Sequence, residues 1–592
     1  MNALTLVTFA LATAAVALLT WRWVRRLAVS DDATEEYFTG GRALSWPVVA
    51  GSLLLTNLST EQLVGLNGDI FKDGALVGVA WEALAAFAMI LTALVFLPRY
   101  LASGFTTTPA FLEQRFDKTT RSMVSGLFLA GYVTVLLPVV LVTGSSALIG
   151  MFDLDVPFWL VAAGIGVLGS GYAIVGGLKS VAISDTLNAI GLLIAGLAIP
   201  ALGLAALGDG SMMAGLSSIL ENHPETLRVL TRTNAAGVPV TVPWPTLLTG
   251  MMFIQIFYWS TNQVIVQRAM AARSLAEGQK GVLFASSMKL VGPLMLCVPG
   301  LLALQMMGDL SFNGAEMLRN AIASATDPAQ LAALAALVPG AGSGASKDAL
   351  LAMLDGGTSV TVTLEAARDA GLSVNSRVYG LMVRHVLPDW SIGLFLAVLV
   401  GSILSSFNSA LNSASTLFSL QFYKGYIARE AAPDAIVSAG KRFGAVIAVA
   451  SMVIAPMLEG QDSIFQYLQK VNGLYSVPIV SIFIVGIAEK RAPASAAKAG
   501  MIVGLLAYTF FTFWGIDGLH WLHGYAISFA AAVLTILVIR AMAPRSDADI
   551  ATEEASVASP VDMTPWAHAR SVSLALVVAV VAMYAGLTAL SA

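Results

Sequence analysis

The stretch Thr56–Gly65, TNLSTEQLVG, places Asn57, Ser59, Glu61 and Gln62 inside a run that is otherwise apolar. A polar or ionisable side chain at membrane depth is expensive and by default marks function. Others recur along the chain: Glu82 in GVAWEALAAF, Asp185 in AISDTLNAIG, QIFYWSTNQ from Gln255 to Gln263, Lys289 in FASSMKLVGPLML, GSILSSFNSALNS from Gly401 to Ser413, and FQYLQKVNG from Phe465 to Gly473. Two chemistries suit them. An interrupted helix frees backbone carbonyls, which is tolerable only beside a protein-lined cavity, and carbonyls with hydroxyls suit a small hard cation. Ser402, Ser405 and Ser406 share one helical face at spacings of three and four. Glu82 and Lys289, of opposite sign, together with Gln62 and Gln469 supply donors and acceptors but little net charge, which suits a neutral, hydroxyl-rich solute. Trp81, Tyr258 and Phe465 would add flat apolar faces for a sugar ring.

Each of these has a plainer reading. Serines also line ordinary helix-packing faces. Trp81 and Phe465 can be packing residues, and Glu82 can belong to a structural ion pair. Asp185 either caps a helix N-terminus or passes the cation inward.

The elements that carry these residues are membrane helices. The chain has 592 residues, of which 57% are hydrophobic and 11% charged. Its mean hydropathy is +0.79, and soluble domains carry roughly twice that charge. Apolar runs recur throughout, and we read about fourteen spans: 3–23, 46–70, 76–99, 120–148, 156–176, 181–207, 245–272, 281–307, 390–422, 440–457, 463–488, 497–514, 521–541 and 571–590. The second and seventh are the richest in polar residues and are expected to be broken. Lys and Arg concentrate in alternate connections, among them Arg22, Arg25 and Arg26, then Arg99, Arg115, Lys118 and Arg121, then Lys179, then Arg268, Arg273 and Lys280, and later Lys424, Arg429, Lys441 and Arg442. The short connections of the other set hold Lys72 and then none in 149–155, 458–462 or 515–520. The positive-inside rule makes the first set cytoplasmic and puts both termini outside. The first run, Ala3–Thr20, has its arginines after it rather than before, the reverse of a signal peptide, and is read as a retained helix. Cys297 is the single cysteine, so no internal disulfide can form. Of the two long outer connections, 208–244 and 308–389, the second holds alanine-rich pieces around a Gly/Ser hinge and reads as short surface helices forming a cap or spacer.

Several stretches in fixed order resemble the solute:sodium symporter family. They are ATEEYFTGGRALSW, TNLSTEQLVG, TTPAFLEQRF, GYAIVGGLKSVAISD, FYWSTNQVIVQRAMAARS, GQKGVLFASSMKL, SSFNSALNSASTLFSLQFY and APMLEGQDSIFQYLQ. The likeness covers about 30–490 and lies in the sodium/sugar branch, nearest the bacterial sodium/galactose symporters. It implies an all-α LeuT-like fold: an extra helix and linker (1–45), a first inverted five-helix repeat (46–207), an external loop (208–244), a second repeat (245–488, with the insertion 308–389) and three further helices (489–592). The first helix of each repeat would be broken near the midplane.

The resemblance also implies roles. Sodium, the coupling ion, would meet the carbonyls of Leu55, Leu58 and Ser402 and the hydroxyls of Ser405 and Ser406, with Asp185 on its exit path. The solute would meet Gln62, Glu82, Lys289 and Gln469, with Asn57 nearby and Tyr258 as an inner gate stacking on it. This chain has Gln255 where the family has a sugar-binding asparagine, Ala85 at a serine contact and Phe257 in place of the tyrosine before the gate. Those departures leave galactose, an N-acetyl sugar and inositol equally open.

The expectation is a multi-pass protein of a plasma or bacterial inner membrane, a sodium-coupled importer of a sugar or related neutral polyol and not an enzyme. No organic cofactor, nucleic acid or obligate protein partner is expected. The alternative is a symporter of the same fold for an amino acid or organic anion, with Lys289 facing a carboxylate. Gly164, Gly166 and Gly169 form a GxGxxG inside an apolar span, which reads as helix packing rather than a dinucleotide site. His520 and His523 are too few for a metal site.

Overall fold

The computed structural model describes residues 3–27, 31–152, 156–342, 345–355, 360–458, 464–547, 550 and 561–591. The connection 153–155, residues 459–463 at the start of the eleventh span and part of the Gly/Ser hinge (343–344) lie outside the described residues. Nearly all regular structure is helical. Ten helices are long and apolar enough to cross a membrane, and Leu275–Met288 with Gly292–Gln305, bent by 47°, makes an eleventh. The remaining expected spans are the second, fifth and seventh. None of them forms a separate long straight helix, for physical reasons that differ.

The second span is two helices, Trp46–Asn57 and Thr60–Asp73. Leu58 leaves helical geometry (φ −78°, ψ 71°) and Ser59 is extended (φ −106°, ψ 177°). The seventh is Gly250–Ile256, a π-helical turn Phe257–Thr261, an extended Asn262 (φ −67°, ψ 120°) and Gln263–Met270. Both breaks fall where polar residues cluster, as the sequence predicts. The fifth span, Phe158–Ile174, is a short helix that meets the sixth, Gly176–Leu207, through a kink at Gly177. There φ is +60° and a Cβ would lie 2.9 Å from the Tyr37 carbonyl oxygen, so the position requires glycine.

The broken second span lies at the centre. Trp46–Asn57 packs on Phe158–Leu207, on Leu275–Met288 and on Asp389–Leu417, the helix carrying the serine cluster. Residues Val48 to Asn57 are all buried. Ala3–Val24 and Ala569–Leu590, by contrast, are mostly exposed, as lipid-facing peripheral helices are. Gly166 and Gly169 of the rejected dinucleotide motif are packing positions: a Cβ would meet Met452 at 2.6 Å and Phe407 at 2.7 Å.

The insertion 308–389 contains the expected short helices, Pro328–Ala335 and Lys347–Asp355, on either side of the hinge. It also forms a two-stranded antiparallel ribbon, Ser311–Asn313 with Thr361–Thr363, that alanine content does not announce. It docks on the second span, where the Asn375 carbonyl oxygen would lie 2.5 Å from a Cβ on Gly68.

Candidate functional site

At the first break the backbone changes partners. A continuous helix would give the Ser59 N–H to Leu55; here it donates to the Asn57 carbonyl at 2.9 Å, which leaves the Leu55 carbonyl outside the ladder. The Leu58 carbonyl accepts from Ser402 Oγ at 2.8 Å. Ser402 therefore reaches the break through its hydroxyl, while its carbonyl, expected from the sequence as a cation ligand, sits within the continuous helix Asp389–Leu417. One turn on, the Ser405 and Ser406 hydroxyls are buried with no hydrogen-bond partner. Unpartnered buried hydroxyls are costly, and these lie one turn along the helix whose Ser402 reaches the break; hydroxyl and carbonyl oxygens are donors that fit a sodium ion.

Asp185 continues from this place. It sits beside Ser405, accepts from Ser52 Oγ at 2.6 Å and pairs with Arg268 at 3.5 Å. It lies eight residues beyond Gly177, within the helix, so it does not act as a cap. Arg268 is the correction here. Its place among loop cations suggests a cytoplasmic surface residue, yet it is fully buried. It also donates to Ser52 Oγ at 2.8 Å and to Ser409 Oγ and the Val264 carbonyl. Ser409 in turn donates to the Ser405 carbonyl at 2.5 Å and lies 3.4 Å from Thr56 Oγ1. A connected polar path thus runs from the serine cluster to Gln263–Met270, the second half of the seventh span.

Beside the break lies a cavity of about 60 Å³. Asn57, Gln62, Trp81, Gln255, Tyr258, Phe465 and Gln469, seven of the nine residues expected at the solute, line it. Trp81 and Phe465 meet edge to face at 5.1 Å. Gly65 lets Phe465 come that close, because a Cβ there would meet the Phe465 Cβ at 2.6 Å. Gln255 Nε2 donates to the Trp81 carbonyl at 2.8 Å, whereas Gln62 Oε1 is buried and unpartnered. Ligand pockets typically hold about 300–1,000 Å³, so this arrangement is contracted and must open to admit a solute.

The remaining two residues are elsewhere. Glu82 and Lys289 do not line the cavity. They pair with each other at 2.8 Å, both almost completely buried. Lys289 also donates to Asn57 Oδ1 and lies 5.1 Å from the centre of the Trp259 ring. The bend of the eighth span makes this possible: Lys289 ends Leu275–Met288, and Gly292 after it leaves room for Glu82 Oε2, which a Cβ would meet at 2.5 Å. The pair touches the cavity through Asn57, which does face it, and Glu82 Oε1 is buried without a partner. Glu61, Thr56, Asn262, Asn472 and Ser406 also line the cavity and were not among the predicted solute residues. Glu61 Oε2 is buried without a partner. The polar run TNLSTEQ announces Glu61 and Thr56; Asn472 is announced by FQYLQKVNG, four positions or fewer from Gln469 on one helix.

The sodium:solute symporter family matches residues 37–340 and 356–504. The chain belongs to that family. It is 36% identical, over 99% of its own length and 91% of the other's, to an uncharacterized symporter of Escherichia coli (strain K12), YidK. It is 28% identical to the sodium/glucose cotransporter of Vibrio parahaemolyticus, over 82% of this chain and 80% of that one. Among solved structures it is similar to a Na+-coupled sialic acid symporter in a substrate-bound, outward-open state, with a TM-score of 0.69, 18% identity, and coverage of 92% of this chain and 99% of that one. That likeness speaks for the fold, the LeuT-like one. The protein is thus a multi-pass membrane transporter of the sodium-coupled kind rather than an enzyme.

Proposed function

We propose that this symporter imports a sugar or related neutral polyol against its gradient, using the downhill entry of sodium by alternating access. The observation that carries the reading is the joining of the two sites at one helix break. The Leu58 carbonyl and Ser402 hydroxyl meet there, and Asn57, the preceding residue, lines the cavity. Sodium bound among the Leu55 and Leu58 carbonyls and the Ser405 and Ser406 hydroxyls would hold the second span against the ninth. That would fix Asn57 and Gln62 in place for the solute. Sodium must favour some states over others for such coupling to exist.

Charge placement supports a neutral solute. The two cations beside the cavity are both committed: Lys289 is held by Glu82 and Asn57, and Arg268 by Asp185. The cavity wall offers amides, hydroxyls, two phenols, two indoles and the Glu61 carboxyl. A carboxylate solute would face Glu61 without a free cation to receive it, which disfavours the organic-anion alternative. The relative from Vibrio parahaemolyticus is named a sodium/glucose cotransporter, which supports a neutral ring solute.

In this reading the chain crosses the bilayer fourteen times, with the three interrupted or joined spans counted as crossings. Both termini lie outside, and 46–207 and 245–488 form inverted repeats that rock against each other. Asp185, linked to Arg268, receives sodium on its way to the cytoplasm. The experiment is uptake of a panel of labelled neutral monosaccharides and inositol into proteoliposomes, with and without an inward sodium gradient. Gradient-dependent accumulation of a member of the panel supports the proposal; accumulation of amino acids alone would replace it with the alternative.

A further inference from the structure

A second pocket, of about 480 Å³, lies on the basic face of the molecule, away from the solute cavity. Its lining includes Lys118, Arg121, Lys424 and Arg429, against a single carboxylate, Glu113. A basic surface alone is ordinary on the cytoplasmic side of a membrane protein. Three features make this a built pocket.

First, Arg121 is half committed. Its Nη1 pairs with Glu113 Oε2, while Nε and Nη2 are buried with no hydrogen-bond partner. Nε and Nη2 form the side-on edge of a guanidinium, the fork that matches two oxygens of a phosphate. Leaving that edge unsatisfied out of water is unfavourable unless an anion completes it. Second, Gly425 packs closely against that edge, and a side chain there would displace it: a Cβ would lie 2.9 Å from Arg121 Nη2. Third, Lys118 is pinned at the rim, donating to the Gly425 carbonyl at 3.0 Å over the Tyr426 ring at 4.2 Å. Lys424 and Arg429 complete the ring as exposed cations.

We propose that this pocket binds a phosphate group, with Arg121 as the fork and Lys118, Lys424 and Arg429 as the surrounding charges. The volume exceeds that of a bare ion and accepts a phosphate carrying a substituent, so the source is either a phosphorylated small molecule of the cytoplasm or the headgroup of an anionic phospholipid. Its placement in the cytoplasm rests on the orientation proposed above. The pocket is tied to the transport helices: it is closed on one side by Phe418–Ile427, the π-helical end of the serine-bearing helix, and Gln421 Nε2 there donates to Thr107 Oγ1 at 2.6 Å. The next residue, Thr108, donates its N–H to Gln263 Oε1 at 2.8 Å, in the broken seventh span.

The test uses the full chain and needs neither solute nor sodium gradient, so its failure is separate from failure of the transport reading. Radiolabelled inorganic phosphate is titrated onto detergent-purified protein. In parallel, the protein is reconstituted in nanodiscs of phosphatidylcholine with and without phosphatidylglycerol, and its melting temperature is measured. Saturable phosphate binding, weakened about tenfold or more by Arg121→Gln and by Gly425→Ala, assigns the pocket to a soluble phosphate ligand. No phosphate binding, but a phosphatidylglycerol-dependent rise in melting temperature that both variants lose, assigns it to lipid. Should Arg121→Gln fail to fold, Gly425→Ala and the exposed double variant Lys424→Gln/Arg429→Gln carry the comparison. Phosphate and phosphatidylglycerol acting equally on wild type and variants, or on neither, overturns the proposal.

Discussion

Ser402 Oγ donates to the Leu58 carbonyl at 2.8 Å, tying the break of the second span to the continuous ninth span. The contact joins residues 344 apart in sequence; nearby, the Ser405 hydroxyl lies beside Asp185 and the Ser406 hydroxyl is buried without a partner. If those hydroxyls are sodium ligands, Ser406→Ala removes one oxygen from the ion. The expected loss is on the order of 1–2 kcal/mol, or about a 5–30-fold rise in the sodium concentration giving half-maximal uptake. An unaltered sodium dependence would remove Ser406 from the cation site.

Glu82 and Lys289 test whether a pair acts on the solute or on the scaffold. Removing one partner of a buried pair typically costs about 3–5 kcal/mol, whereas replacing both with apolar residues of similar volume is often near neutral. Lys289→Met should therefore lower the melting temperature markedly, and Lys289→Met/Glu82→Leu should recover most of the loss. If the single variant melts like the wild type yet cannot transport, the pair belongs to the solute site instead of the scaffold.

Gln62 faces the cavity with its Oε1 unpartnered. Gln62→Ala should raise the solute concentration for half-maximal uptake about tenfold, from one lost hydrogen bond on the order of 1.4 kcal/mol. Thermal stabilisation by sodium should persist, because the ion's proposed ligands are untouched. Loss of that stabilisation would mean the two sites share Gln62.

Arg268 is fully buried and serves Asp185, Ser52, Ser409 and the Val264 carbonyl at once. Arg268→Ala strands the Asp185 charge and should destabilise the protein by about 3–5 kcal/mol. Arg268→Lys should not restore transport, since a single ammonium cannot reproduce the guanidinium's spread of donors. Wild-type uptake by Arg268→Lys would show that only its charge matters.

Much of this architecture is legible in the sequence because lipid is a demanding solvent. Apolar runs reveal crossings, and polar residues such as Asn57 and Gln62 stand out against them. The broken spans were legible for the same reason, since TNLSTEQ and FYWSTNQ cannot face hydrocarbon. Arg268 was not, because a cation near a span's end looks like a loop charge whether it turns outward or inward; only the facing Asp185 and Ser409 decide. Glu82 and Lys289 were individually conspicuous, but that they close on each other depends on the 47° bend at Lys289–Val291, a tertiary feature. The ribbon of the outer insertion pairs residues about fifty apart, beyond the reach of local pattern.

The most direct test of the central claim is uptake by purified protein in vesicles that differ only in the cation outside. A neutral sugar or inositol should accumulate inside above its external concentration with Na+ outside and K+ inside. That accumulation should vanish when K+ replaces Na+ or when the gradient is collapsed. Equal uptake with both cations, or none of any neutral polyol under a sodium gradient, would contradict the account.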